Sequence, residues 1–127
     1  MTIKDLKQLI NYWVSSSDDD INVAETLYRS KKYSYCLFFC HLAIEKMLKA
    51  VVVAKLREHA PLTHNLPFLA GKADLVLDKD YISFLVEMTR WNLEARYPAD
   101  LLNLKNQSVK GVRLHYLPFL KIYSHSS

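Results

Sequence analysis

Residues Tyr33 to Arg57 read YSYCLFFCHLAIEKMLKAVVVAKLR, and this stretch decides the fold. Leu37, Phe38, Leu42, Leu48, Val52 and Leu56 recur in helical phase, Phe38 and Leu42 and then Leu48, Val52 and Leu56 at a spacing of four, and neither Gly nor Pro interrupts them. That period predicts one long helix, and its length is enough to cross a small domain. Apolar residues cover more than one side, so the helix is expected in the middle of a bundle with neighbours on several sides. Within it, His41, Glu45 and Lys49 are spaced by four and stack along one stripe. Lys46 lies about one hundred degrees round from Glu45, at the stripe's edge. A buried carboxylate must be paired, so Glu45 is expected to meet Lys49 or a basic residue of a neighbouring element.

Outward from this helix, the chain of 127 residues suits one domain, residues 1–127, with one core. Half the residues are hydrophobic and 24% are charged, a balance that excludes disorder. Two Gly and four Pro are too few for an all-β chain, so an all-α bundle is expected. The formal charge of +4 resides after Asp100, where Lys105, Lys110, Arg113 and Lys121 occur with no acidic residue. A weakly basic surface permits phosphate contact, although a solvated helix face reads the same way. Cys36 and Cys40, four apart in one helix, are poorly placed for a disulfide and read as small buried thiols of a reducing compartment. The N-terminus lacks the apolar core of a signal peptide and no run reaches a membrane span, so a cytoplasmic location without membrane contact is expected.

Thr2 is placed to cap a first helix, with Asp5 favourable in its first turn. Leu6, Leu9, Ile10, Trp13 and Val14 form its stripe. Ser15 to Asp20 reads either as a loop, with Asp20 capping a new helix at Ile21, or as continuing helix; the common phase of Trp13, Ser17, Asp20 or Ile21, Ala24 and Leu27 or Tyr28 favours the helix. The Asp triplet is then expected on a solvated face. Ser30 to Lys32 turns the chain back antiparallel. Pro61 stops the central helix, and His59, Thr63, His64 and Asn65 make a polar linker. Thr63 is the expected cap of a short helix that Gly71 ends. A further helix is expected over Asp78 to Leu93, capped by Asp78, with Tyr81, Phe84, Leu85, Met88 and Trp91 or Asn92 inward. A last one, weakened by Gly111 and Pro118, is expected over Ser108 to Tyr123.

No glycine-rich phosphate loop and no zinc spacing of cysteines occurs. His41 and Glu45 with His64 make only a weak metal pattern, and neither metal nor cofactor is expected. His64 reads as a general acid or base, or as a tie between the linker and a helix end. Arg96 suits an internal ion pair, with Glu45 as one candidate, and phosphate binding equally.

Four stretches in order resemble the HEPN domain family. They are the long N-terminal region with Trp13, Asp20, Ala24 and Leu27; Tyr33 followed by Phe38 to Ala50, similar to the family's hxAxEKxLKA helix; Thr63-His64-Asn65-Leu66 with Leu69, similar to THxLxxL; and Arg96 to Asp100, similar to RYPD. The resemblance covers nearly the whole chain. It implies an up-and-down bundle of four to five helices, a homodimer, and partnership with a minimal nucleotidyltransferase in a toxin–antitoxin-like pair. Nucleotide binding is the role proposed for the RYPD branch. By position, Lys46, Lys49, His64, Arg96 and Tyr97 would then contact nucleotide or RNA phosphate, with His41 and Glu45 in support. Many members are metal-independent ribonucleases with Arg, four to six residues, then His. This sequence departs from that signature. No His follows Arg90 or Arg96 at that distance; His115 is too far from Arg96 and too close to Arg113; and Arg57 and His64, whose spacing fits, bracket Pro61 in the wrong part of the fold. A binding module rather than an enzyme is therefore expected. A ribonuclease with a non-standard Arg/His pair and a purely structural dimerisation module are the alternatives.

Overall fold

The computed structural model describes residues 1–75 and 79–94, and within them the side chains of 33, 34, 81, 84, 87 and 90–94 are left aside. Four helices occur among these residues and no strand does: α1 Ile3–Arg29, α2 Tyr33–Leu56, α3 Leu66–Lys72 and α4 Lys79–Glu94. The expected cap Asp78, the expected last helix, and Arg96 and Tyr97 lie outside the described residues.

α1 starts at a capping box. The Thr2 hydroxyl accepts from the Asp5 amide at 3.1 Å, and the Asp5 carboxylate accepts from the Thr2 amide at 3.2 Å. These bonds hold the Asp5 carboxyl below its ordinary value, the Thr2 contacts being the cause. The helix runs unbroken through Ser15 to Asp20, as its apolar phase suggested. Ser17 does not compete with the helix because its hydroxyl donates to the Ala43 carbonyl of α2. The Asp triplet divides: Asp18 and Asp19 are exposed, but Asp20 is buried, which corrects the solvated-face reading.

The turn between α1 and α2 is a Schellman motif. The Lys32 amide donates to the Leu27 carbonyl at 2.9 Å and the Lys31 amide to the Tyr28 carbonyl at 3.0 Å. Lys31 takes the left-handed conformation, φ 59°, that glycine usually supplies here. α2 then runs antiparallel to α1 and packs against α1, α3 and α4, which makes it the central element. From Cys40 to Val53 only Leu42 and Lys46 are partly exposed. Its inward residues include Cys36, Leu37, Cys40, Ala43, Ile44, Met47, Leu48 and Val51. Each fully buried Leu, Ile or Met of this set contributes about 1.5–3 kcal/mol relative to exposure. Phe38 and Leu56 face outward, at 47% and 39% exposure, against the sequence expectation. Both thiols are free and buried. The hydrogen bond between them draws the Cys36 thiol down and, with burial, pushes the Cys40 thiol well up.

α2 ends four residues before Pro61, at Arg57, which sits in the left-handed region at φ 57° and donates its amide to Val53. The cap of α3 is Asn65, whose side chain accepts from the Phe68 amide at 2.9 Å; Thr63 instead accepts from the Asn65 amide at 3.1 Å. Nor does Gly71 end α3. The helix continues to Lys72 and closes on a second Schellman turn with Asp74 at φ 54°. That turn delivers Leu75 against the core. Leu85 and Met88 are the described core contributions of α4. None of the described helices is long and apolar enough to cross a membrane.

Candidate functional site

The polar stripe of α2 is buried. His41 is 1% exposed, Glu45 4% and Lys49 6%. Desolvating three ionisable groups is expensive unless each finds a partner, and the network around Glu45 supplies most of them. Glu45 Oε2 accepts from the Lys49 ammonium at 3.0 Å. Glu45 Oε1 accepts from His64 Nδ1 at 2.7 Å, and His41 Nδ1 stands 3.8 Å from the same oxygen. Lys49 also lies over the Trp13 ring, 5.3 Å from its centre, so α1 contributes an aromatic face to the ammonium.

His41 and Glu45, one turn apart, grip the linker at a single residue. The His41 Nε2–H donates to the His64 carbonyl at 3.1 Å, while Glu45 takes the His64 ring. A carbonyl only accepts, so His41 carries its proton on Nε2 and its Nδ1 is bare. That Nδ1 is buried with no hydrogen-bond partner among the described residues. Burial lowers the pKa of His41 below the usual histidine value, and the Glu45 charge and the His64 carbonyl oppose this only in part. His64 itself stays at the surface, its side chain 74% exposed. Two residues further on, the Leu66 amide donates to the Thr89 hydroxyl at 3.1 Å, tying the linker to α4 as well.

Lys46, at the edge of the stripe, turns to a neighbouring stretch of α1. Its ammonium bonds the Ser16 hydroxyl at 2.7 Å and pairs with Asp20 Oδ2, also at 2.7 Å. Of the residues the sequence nominated, the structure brings together His41, Glu45, Lys49 and His64. Lys46 stands apart from them with α1, and Arg96 and Tyr97 lie outside the described residues. The sequence reading missed Ser16, Asp20 and Trp13 as partners of the two lysines. The phase that Trp13, Ser17 and Asp20 share along α1 puts them on one face, but not opposite any particular residue of α2. Among the described residues, no group of three or more His, Cys, Asp or Glu is arranged to hold a metal. A shallow cleft of about 420 Å³ opens elsewhere, between Met1, Asp5, Gln8, Leu9 and Tyr12 on α1 and His59 after α2. None of the nominated residues that the structure describes lines it.

These features define a small helical module in which a central helix buries an ion-paired column and clips a polar linker. The sequence matches the HEPN domain over residues 10–110, most of its length, and the chain belongs to the HEPN domain family. Comparison with curated proteins and with solved structures gave no match.

Proposed function

We propose that this HEPN domain, one folding unit over the whole chain, is a cytoplasmic nucleotide- or RNA-phosphate-binding module. In this reading it acts as a homodimer beside a minimal nucleotidyltransferase, in a toxin–antitoxin-like pair of the RYPD branch. The family match supports the general class. The observation that carries the ligand-binding reading is His64, the one member of the Glu45 network that stays at the surface, held there at its ring and its carbonyl. Lys49 and Lys46 are neutralised by Glu45 and Asp20, so they shape the field behind the site more than they grip a ligand. Direct phosphate contact falls to Arg96, whose guanidinium fork suits it, with Tyr97 beside it in the chain. Isothermal titration with nucleoside triphosphates and short RNA tests the reading. Binding that weakens in Arg96→Ala is expected, and no heat at millimolar ligand refutes it.

A purely structural dimerisation role is the second reading. Tyr35 and Phe38 on α2 and Val23 on α1 support it, because all three are large apolar side chains at least 40% exposed. Light scattering coupled to size exclusion is expected to give a dimer. A monomer at micromolar concentration would count against dimerisation in both readings.

A further inference from the structure

Glu45 fixes more than the place of His64; it fixes which ring nitrogen carries the proton. A carboxylate offers only acceptor sites, so the His64 Nδ1 at 2.7 Å is the N–H. A neutral ring protonated at Nδ1 has a bare lone pair at Nε2. No described residue bonds that nitrogen, and the side chain is 74% exposed. His41 is the opposite tautomer, with its bare nitrogen turned inward. The two imidazoles thus present one acceptor nitrogen to the interior and one to solvent.

Charge and tethering make the outer nitrogen useful. The Lys49 ammonium already balances Glu45 on its other oxygen, so His64 need not be charged to keep its bond. The ring is held at Nδ1 and its main chain at the carbonyl, so the direction of Nε2 is preset and a bond to it orders little further. A lone pair cannot bond a phosphate oxygen, which has no proton to give at neutral pH. It bonds a neutral donor. The ribose hydroxyls are such donors and sit at the same place on every ribonucleotide, whereas the neutral N–H donors of the bases differ in kind and position from one base to the next.

We infer that His64 Nε2, oriented by Glu45, is the hydrogen-bond acceptor for a ribose hydroxyl of the bound nucleotide. The inference rests on the nucleotide-binding reading above and reassigns His64 within it, from phosphate to sugar.

The test has two parts. Long-range proton–nitrogen correlation spectra of the free protein should show His64 as the Nδ1–H tautomer and His41 as the Nε2–H tautomer. The Nε2–H form at His64 would overturn the inference before any ligand is added. Titrations then compare ATP with 2′,3′-dideoxy-ATP and with inosine triphosphate. The dideoxy nucleotide should bind about five- to tenfold more weakly, the worth of one hydrogen bond, and inosine triphosphate about as well as ATP. In His64→Phe, a change at an exposed position, the ribose discrimination should vanish. Equal binding of ATP and its dideoxy form, or discrimination that survives in His64→Phe, overturns the inference and leaves nucleotide binding standing. A loss with inosine triphosphate instead would assign the acceptor to a base amine, against the proposal. No binding of ATP refutes both.

Discussion

Removing the Glu45 carboxylate is the sharpest perturbation of this molecule. In Glu45→Ala the Lys49 ammonium, whose side chain is only 8% exposed, loses its 3.0 Å partner and, among the described residues, keeps the Trp13 ring alone. Truncating one member of a buried ion pair costs about 3–5 kcal/mol, because the surviving charge stays desolvated. The lower end applies here, about 3 kcal/mol, since the long lysine stem can swing its head outward. The His64 bond goes as well, but on an exposed ring it adds little. Glu45→Met with Lys49→Met should behave differently. With both charges gone and the volume kept, the double variant should fall within about 1 kcal/mol of wild type or exceed it. Urea unfolding followed by far-ultraviolet dichroism gives both numbers, provided the denaturant slopes agree. A single variant that costs under 1 kcal/mol would mean the column is not desolvated. A double variant as unstable as the single would mean the carboxylate, and not the orphaned charge, matters. Either result refutes the reasoning.

Asp20→Asn should cost about 1 kcal/mol, since the pair with Lys46 is partly open to solvent and Ser16 keeps its hydrogen bond; thermal unfolding against Asp18→Asn, which should change nothing, checks it. Asn65→Ala should cost about 1 kcal/mol and exceed Thr63→Ala, because Asn65 supplies the side-chain cap of α3; unfolding midpoints that rank Thr63 first would restore the sequence assignment. His41 has its pKa lowered by burial, so the unfolded chain binds its proton more readily. Its contribution is therefore flat above about pH 6.5, and stability falls as the pH drops below that, by up to about 1.4 kcal/mol per pH unit. His41→Gln should flatten that part of the profile; an unchanged slope from pH 6.5 to 5 excludes His41 as its source.

The central helix was legible because its signal is periodic and uninterrupted, and so was the need of Glu45 for a partner. The path of α1 through Ser15 to Asp20 was legible from phase. What one chain of letters hides is the register between helices. Asp20 looked solvated because nothing in the sequence says that Lys46 stands opposite it; that follows only from the antiparallel fit that also sets Ser17 on Ala43. Phe38 and Leu56 were overcounted for a related reason. Cys36, Cys40 and Ala43 are buried in their place, and a stripe drawn through the large residues leaves these small ones out even where, as for the two thiols, burial was expected. At the helix ends, Lys31 and Asp74 hold left-handed positions with no glycine to announce them, so Gly71 drew the boundary instead.

The buried column is best understood by what it cannot be. Apolar residues of the same volume would hold α1 and α2 together as well or better, so stability alone does not account for His41, Glu45 and Lys49. What apolar residues could not do is seize one residue of a polar linker by both its carbonyl and its ring. His41 and Glu45 do that to His64, and Leu66 carries the same segment on to Thr89 of α4. The methionine double variant separates the two roles. It should fold, yet leave His64 with only its carbonyl held, so that its ring loses both its tautomer and its direction. If the column exists to place His64, that stable variant should lose ATP affinity, and the dideoxy nucleotide should no longer bind more weakly than ATP. If ATP binding and ribose discrimination both survive, Glu45 serves the fold alone.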